Sequence, residues 1–183
     1  NLIIFAPLNE EELRNIMYTS QLGLKHPIAI RYPRGRGTTE NWRTPLQKID
    51  IGVGQELKSG NKIAVLSIGN IGNMVKEVIL EFDENEAIGQ YNMRFVKPLD
   101  ESLLEKIFKQ YNLIITIEDG CKIGGFGSAI LQYANSHGYN IPIKIFGVDD
   151  IFVEHGTIEE LYQAAEIDKS SLKKYLTQIL DTY

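Results

Sequence analysis

The chain has 183 residues, of which 43% are hydrophobic and 23% charged, and this composition is typical of a globular protein with a core of its own. Its 24 acidic and 19 basic residues leave a net charge of -5 without a locally basic stripe, so nucleic acid is excluded as an expected partner. No apolar run approaches the ~20 residues that cross a bilayer, and residues 1–7 lack the features of a signal peptide, so we expect no membrane contact and a cytoplasmic location.

The first 35 residues predict one strand–helix–strand unit. An apolar strand is predicted at residues 2–5, and Asn9 followed by Glu12 indicates the start of a helix. A second strand is predicted at residues 28–32. Such a unit is too small to cover both faces of its own sheet, and no earlier element is present to pair with the first strand. We therefore expect residues 1–35 to be the remnant of a larger domain, cut from a longer protein.

Residues 36–48 are polar and irregular, which predicts a linker. Residues 49–183 then alternate between strands and amphipathic helices. The predicted strands are 49–57, 62–68, 87–95, 113–118 and 143–146; the predicted helices are 74–82, 100–111, 128–137 and two closing helices capped by Thr157 and Asp168. This order predicts an α/β fold with three α/β/α layers around a mostly parallel sheet, with sites at the carboxyl ends of its strands.

The segment Arg31-Tyr32-Pro33-Arg34-Gly35 follows a predicted strand and carries two guanidinium groups around a proline. Proline fixes its own φ and favours an extended residue before it, so both arginines lie on stiff backbone. A guanidinium group binds phosphate or carboxylate oxygens two at a time. The segment therefore predicts a phosphate clamp; the alternative is that both arginines pair with acidic side chains in a packed interface.

Two further polar pairs follow predicted strands. Arg94 and Lys97 lie where a strand gives way to a helix, where they either hold a polar partner across a domain seam or remain surface charges. Glu118 and Asp119 end the next strand and either act as acid or base groups or pair with arginines such as Arg94. For Glu118 and Asp119, pairing with arginines is favoured over an acid or base role.

The remaining candidates give weaker signals. The glycine-rich turn at residues 124–127 either presents N–H groups to an anion or allows close packing of a helix on a strand, and the packing role is favoured. His155 lies between two aspartates and a helix cap and is a candidate for proton transfer near neutral pH. Cys121 is the single cysteine and has no paired ligands around it, so neither a disulfide nor a metal site is predicted.

Taken in order, seven motifs resemble the 1-deoxy-D-xylulose-5-phosphate synthase family, almost from end to end. They lie at residues 6–13, 30–35, 51–54, 94–100, 117–119, 124–128 and 153–156. Transketolases and the β subunits of 2-oxo acid dehydrogenases share the fold and a version of the Pro-Leu-Asp segment at residues 98–100. No single motif is decisive, but the ordered set is specific.

The resemblance implies the third domain of a three-domain enzyme at residues 49–183, preceded by the end of the second, pyrimidine-binding domain. It implies an enzyme that decarboxylates pyruvate on thiamine diphosphate with Mg²⁺ and joins the two-carbon fragment to D-glyceraldehyde 3-phosphate, for isoprenoid, thiamine and pyridoxal precursors. Arg34 is then the contact to the aldehyde's phosphate, with Arg31 as a structural partner and Arg94 and His155 in supporting roles. The family implies a homodimer.

The Gly-Asp-Gly motif that holds magnesium and diphosphate does not occur in these residues. We therefore expect no catalytic residue, no bound cofactor and no activity in this chain alone, and poorly protected backbone in residues 1–32 because a sheet neighbour is missing. Two alternatives remain open. One is the C-terminal domain of a transketolase or of a 2-oxo acid dehydrogenase β subunit, and the other is a non-catalytic module that binds a phosphorylated ligand or serves assembly.

Overall fold

The computed structural model describes residues 1–35, 37, 42–82 and 85–180. The strands are β1 (Ile3–Phe5), β2 (Ile28–Ile30), β3 (Gln55–Lys58), β4 (Ile63–Ser67), β5 (Ile88–Asn92), β6 (Phe95–Lys97), β7 (Leu113–Cys121) and β8 (Ile143–Val148). The helices are α1 (Glu10–Ser20), α2 (Ile71–Ile79), α3 (Glu101–Gln110), α4 (Phe126–Ser136), α5 (Ile158–Ala164) and α6 (Lys169–Leu180). Within these residues, no helix has both the length and the apolar character needed to cross a membrane.

A five-stranded sheet forms the centre of the larger unit, in the order β3-β5-β4-β7-β8. The pairs among β5, β4, β7 and β8 are parallel, and β3 joins the edge antiparallel to β5. All five residues of β4 are buried, as expected for a central parallel strand covered on both faces. The predicted mostly parallel sheet is confirmed.

Helices cover both faces of this sheet. Ala64 and Leu66 of β4 face a core that α3 and α4 complete. The alternating residues Ile63 and Val65 face a second core, built with α2 and α6. Because side chains alternate across a strand, one short apolar run supplies both cores. The predicted three-layer arrangement is therefore confirmed.

The predicted helix caps are also present. The side chains of Asn9, Asp100, Thr157 and Asp168 each accept a hydrogen bond from an N–H group in the first turn of their helix, at 2.9, 2.9, 3.3 and 2.8 Å. Each cap satisfies a donor that the helix itself leaves unpaired, and this local chemistry fixes where the helix begins.

A second sheet contains three strands in the order β2-β1-β6, with β1 parallel to β2 and antiparallel to β6. The pairing of β1 with β2 follows from the predicted strand–helix–strand unit, but the sequence offered no element for the other edge of β1, and β6 from the following region occupies it. Phe5 and Phe95 pack edge to face across this pairing, with ring centroids 4.9 Å apart. Burial of this aromatic pair, together with Ile3, Ile16 and Ile49, gives the small sheet its own core.

The predicted single strand at residues 87–95 is two strands in two sheets. Met93 still pairs with the large sheet, since its N–H donates to the Ser67 carbonyl at 2.9 Å. Arg94 then adopts a left-handed conformation, with φ of 57°, and its carbonyl accepts the Ala6 N–H at 2.8 Å. This conformation is uncommon for a side chain with a Cβ, and it turns the chain from one sheet into the other.

The predicted strand at residues 49–57 is mostly wrong, because β3 begins only at Gln55. Gly52 has φ of 79°, which turns the chain, and Ile49 packs in the small core instead. Of the predicted linker, residues 36 and 38–41 lie outside the described residues; residues 42–48 contain no helix or strand. The domain boundaries at 35/36 and 48/49 remain predictions.

Helix α6 is tied to α2 by Glu81, which accepts hydrogen bonds from Lys169 at 2.7 Å and Lys173 at 2.6 Å. These two bonds lower the pKa of Glu81 from 4.5 to about 2. A lowered pKa in the folded state gives stability that is present above pH 4.5 and is lost as the pH falls towards 2. We expect Glu81→Gln to reduce stability against urea at about pH 6 but to have little effect at about pH 2, where Glu81 becomes protonated in the folded state as well.

The exposed Glu159 of α5, which has no ion pair in the described chain, provides the control variant Glu159→Gln. It should leave the urea midpoint unchanged at both pH values. Equal loss of stability at both pH values in Glu81→Gln would contradict the assignment.

Candidate functional site

The carboxyl ends of β2, β4 and β7 meet at one edge of the molecule. Arg31 follows β2, and its Nη1 atom donates to Oδ1 of Asp119, in the last part of β7, at 2.5 Å. The turn at Gly69 and Asn70, which follows β4, lies beside them, and a small cleft of about 40 Å³ separates this turn from residues 31–33. The sequence predicted that polar side chains would gather at this edge, and the structure brings Arg31 and Asp119 together there.

Arg34 directly follows Pro33, which lines this cleft, and is exposed. Within the described residues its guanidinium group makes no hydrogen bond and no ion pair. Three nearby cations are paired: Arg31 with Asp119, Arg94 with Glu12 and Lys122 with Asp149. Because each of these pairs cancels its own charge, the positive charge of Arg34 is, among the described residues that follow β2, the charge left available to an anion from solution.

Arg94 is held by α1, not by the carboxylates at the end of β7. Its Nε atom donates to Glu12 Oε1 at 2.7 Å, and its Nη2 atom donates to Gln55 at 2.9 Å. The expected pairing of Arg94 with Glu118 or Asp119 is therefore wrong. The physical reason is that Arg94 lies where the chain passes between the two sheets, so its side chain faces α1 of the smaller unit.

Glu12 is the functional residue of this seam that sequence reasoning missed. It is 7% exposed, and its carboxylate also accepts hydrogen bonds from the Leu8 N–H at 2.8 Å and from Asn92 Nδ2 at 2.9 Å. The sequence identified it only as an acidic residue in the first turn of a helix. Nothing in its local pattern indicates partners 80 and 82 positions away.

Glu118 is buried beneath the glycine-rich turn. Its two carboxylate oxygens accept the N–H groups of Phe126 and Gly127, each at 2.9 Å, while burial raises the pKa of the carboxyl above 4.5. A Cβ on Gly127 would lie 2.7 Å from Ile145 and Thr116. The turn therefore allows close packing, as favoured from the sequence, and its N–H groups are occupied by the protein's own carboxylate.

His155 lies in the loop between β8 and α5 and is exposed. Among the described residues it makes no hydrogen bond, and its supporting role remains a prediction. Cys121 is likewise exposed at the end of β7. No three His, Cys, Asp or Glu side chains of the described chain lie close enough together to hold a metal ion.

Comparison with known proteins identifies relatives over most of the chain. The family described as "Transketolase, C-terminal domain" matches residues 52–172. A protein of Bacteroides thetaiotaomicron named 1-deoxy-D-xylulose-5-phosphate synthase is 48% identical over 178 residues, which cover 96% of this chain and 28% of that protein. The synthase of that name from Chlorobaculum tepidum is 38% identical over 176 residues, covering 94% of this chain and 27% of that protein. The chain spans just over a quarter of the length of these relatives.

Solved structures agree with this relationship. A split-gene transketolase, described as an inactive β4 tetramer, has a TM-score of 0.84 at 25% identity and covers 99% of this chain and 58% of its own. The transketolase of Campylobacter jejuni has a TM-score of 0.69 at 16% identity, covering 97% of this chain and 26% of its own, and shows the fold alone.

The sheet order, the motifs and the relatives lead to one conclusion. The resemblance inferred from the ordered motifs is confirmed, since relatives that share nearly half of the residues carry the same synthase name. These proteins belong to a superfamily of transferases that depend on thiamine diphosphate. The chain described by this structure belongs to the transketolase C-terminal domain family.

Proposed function

We propose that this chain is the C-terminal part of a 1-deoxy-D-xylulose-5-phosphate synthase. The enzyme joins a two-carbon fragment of pyruvate, after decarboxylation, to D-glyceraldehyde 3-phosphate, and its product supplies isoprenoid, thiamine and pyridoxal synthesis. The similarity to synthases of that name over 96% of the chain supports this assignment. Thiamine diphosphate and Mg²⁺ supply the decarboxylation chemistry when bound, and the parts of the enzyme outside this chain hold them.

The observation that carries the proposal is the guanidinium of Arg34, which is exposed, has no partner among the described residues and follows the cleft-lining residues 31–33. A sugar phosphate carries two or more anionic oxygens, which the planar fork of an arginine binds in pairs. Arg34 therefore binds the phosphate of the three-carbon acceptor and orients its aldehyde towards the remainder of the enzyme. Arg31 supports the segment, Arg94 fixes the seam between the two sheets, and His155 lies in a loop that faces the same edge.

The proposal extends to assembly and location. The chain works within a homodimer, with the cofactor-binding domains of the same polypeptide as its partners. A solved relative is described as a tetramer, which supports oligomeric assembly in general. The relatives are bacterial synthases, and we place this enzyme in the cytoplasm with them.

The assignment is tested on the full-length gene product that contains this chain. With pyruvate, D-glyceraldehyde 3-phosphate, thiamine diphosphate and Mg²⁺, we expect carbon dioxide release and a five-carbon ketose phosphate of the expected mass. The 183-residue chain alone should give neither, because it lacks the residues that bind the cofactor.

Other outcomes would assign other functions. Two-carbon transfer from a ketose phosphate to an aldose phosphate, without pyruvate, would indicate a transketolase. Turnover by the chain alone would contradict the proposal. Tight binding of glyceraldehyde 3-phosphate by the chain alone in calorimetry would indicate a separate binding module.

A further inference from the structure

The ion pair between Arg31 and Asp119 joins the two sheets of the molecule. Arg31 follows β2 of the three-stranded sheet, and Asp119 belongs to β7 of the five-stranded sheet. Their side chains are 43% and 20% exposed. An ion pair this open to water contributes little to stability. Its effect is therefore on where the Arg31 segment lies and not on whether the chain folds.

A third element lies near Asp119. Tyr162, in α5, is close enough to Asp119 for the carboxylate charge to act on the phenol. Burial, together with the nearby Asp119 charge, raises the pKa of Tyr162 to about 12, so the phenol is protonated at neutral pH and able to donate to the carboxylate. The carboxylate therefore has the Arg31 guanidinium as its hydrogen-bonded partner and a neutral phenol nearby.

Arg31 is fixed by its backbone as well as by its side chain. Its N–H group donates to the Phe5 carbonyl at 2.8 Å, which continues the pairing of β1 with β2. Its Nη2 atom also lies 3.8 Å from the position that a Cβ atom on Gly69 would occupy. Pro33 fixes φ one residue before Arg34 and disfavours helical backbone at Tyr32. Arg31, which is fixed, and the stiff Tyr32-Pro33 pair thus connect Asp119 to Arg34.

We propose that Asp119 is a positioning residue that sets the location of the Arg34 guanidinium through Arg31. The proposal rests on the proposed function, because it assigns Asp119 a part in binding the acceptor's phosphate without contact to it. Arg31 is used for anchoring and is neutralised by Asp119, which leaves phosphate binding to Arg34. Tyr162 strengthens the anchor by holding the carboxylate.

The test uses Asp119→Asn in the full-length enzyme, because asparagine keeps the shape and removes the charge. We expect the KM for D-glyceraldehyde 3-phosphate to rise about tenfold, since a displaced guanidinium loses much of its charge-assisted contact with the phosphate. The kcat and the KM for pyruvate should stay within about twofold of wild type. With unphosphorylated glyceraldehyde as acceptor, Asp119→Asn should equal wild type, which a merely structural defect would not produce.

Two controls sharpen the result. Asp149→Asn removes the neighbouring ion pair with Lys122, 2.7 Å long at the same edge, and should leave the KM for the acceptor unchanged. The double variant Asp119→Asn with Arg34→Ala should have the same KM for the acceptor as Arg34→Ala alone. Once the Arg34 guanidinium is removed, a change in its position has no further effect. Tyr162→Phe should raise the same KM about two- to threefold, and it provides a second test if Asp119→Asn folds poorly.

The outcomes separate this inference from the proposed function. An unchanged acceptor KM in Asp119→Asn and Tyr162→Phe, or effects of Asp119→Asn and Arg34→Ala that multiply, would overturn the positioning role while the synthase assignment stands. Absence of the ketose phosphate product in wild type would overturn the assignment, and the positioning role with it.

Discussion

Replacing Glu12 with alanine is expected to lower the free energy of unfolding by about 3 kcal/mol, because removal of one partner of a largely buried ion pair leaves the other unpaired. Glu12 accepts from Arg94, Asn92 and the Leu8 N–H. Asn92 is completely buried, so its amide loses this partner without gaining water, and a buried donor left unsatisfied costs about 1 to 3 kcal/mol by itself. The left-handed backbone at Arg94 also loses the contact that holds it.

Urea unfolding followed by circular dichroism measures this loss. Glu11→Ala is the matched control, because Glu11 lies in the same helical turn and, within the described part of the chain, its side chain accepts one hydrogen bond, from the Thr44 hydroxyl at 2.8 Å. We expect that variant to lose less than about 1 kcal/mol. Glu12→Gln should fall between the two, since it keeps an acceptor and loses the charge. Equal stability of the Glu11 and Glu12 alanine variants would show that the seam does not depend on this carboxylate.

The larger sheet and its helical layers were predictable because their signals are local. Four of the five residues of β4 are apolar, and the helices repeat apolar residues at intervals of three and four. Caps such as Asp100 and Thr157 mark where helices begin, and the structure places each cap as predicted. Each of these signals can be read from a stretch of only a few residues, without knowledge of the rest of the fold.

The connection between the two sheets was not predictable from such signals. Residues 88–97 are continuously suited to a strand, and only the backbone at Arg94 divides them into β5 and β6. A left-handed arginine has no local signature, because its cost is offset by partners such as Glu12 that are distant in sequence. The pairing of β1 with β6 was not predicted for this reason.

The candidate site was predictable in part. The stiff Arg31–Pro33–Arg34 segment and the polar ends of the strands are visible in the sequence, and the structure places them at one edge. The sequence could not decide which carboxylate pairs with which arginine: it offered Glu118 and Asp119 as partners of arginines such as Arg94, and it gave no sign that Glu12 would pair with Arg94 instead. Tyr162 carried no signal, because its role depends on how α5 packs against the end of β7.

Replacing Arg34 with alanine in the full-length enzyme is expected to raise the KM for D-glyceraldehyde 3-phosphate about 10- to 100-fold. A charge-assisted contact of this type contributes about 1.5 to 3 kcal/mol, and about 1.4 kcal/mol corresponds to a factor of ten. The KM for pyruvate should not change, because pyruvate carries no phosphate. Arg34→Lys should lie between wild type and alanine, since lysine keeps the charge and loses the planar fork.

The central claim is that the Arg34 guanidinium binds the phosphate of the acceptor. The most direct test compares kcat/KM for D-glyceraldehyde 3-phosphate with kcat/KM for unphosphorylated glyceraldehyde, in wild type and in Arg34→Ala. We predict that the preference for the phosphorylated acceptor falls about 10- to 100-fold in the variant, while kcat/KM for glyceraldehyde stays the same. An unchanged preference in the variant would show that the phosphate is bound elsewhere and would contradict the account.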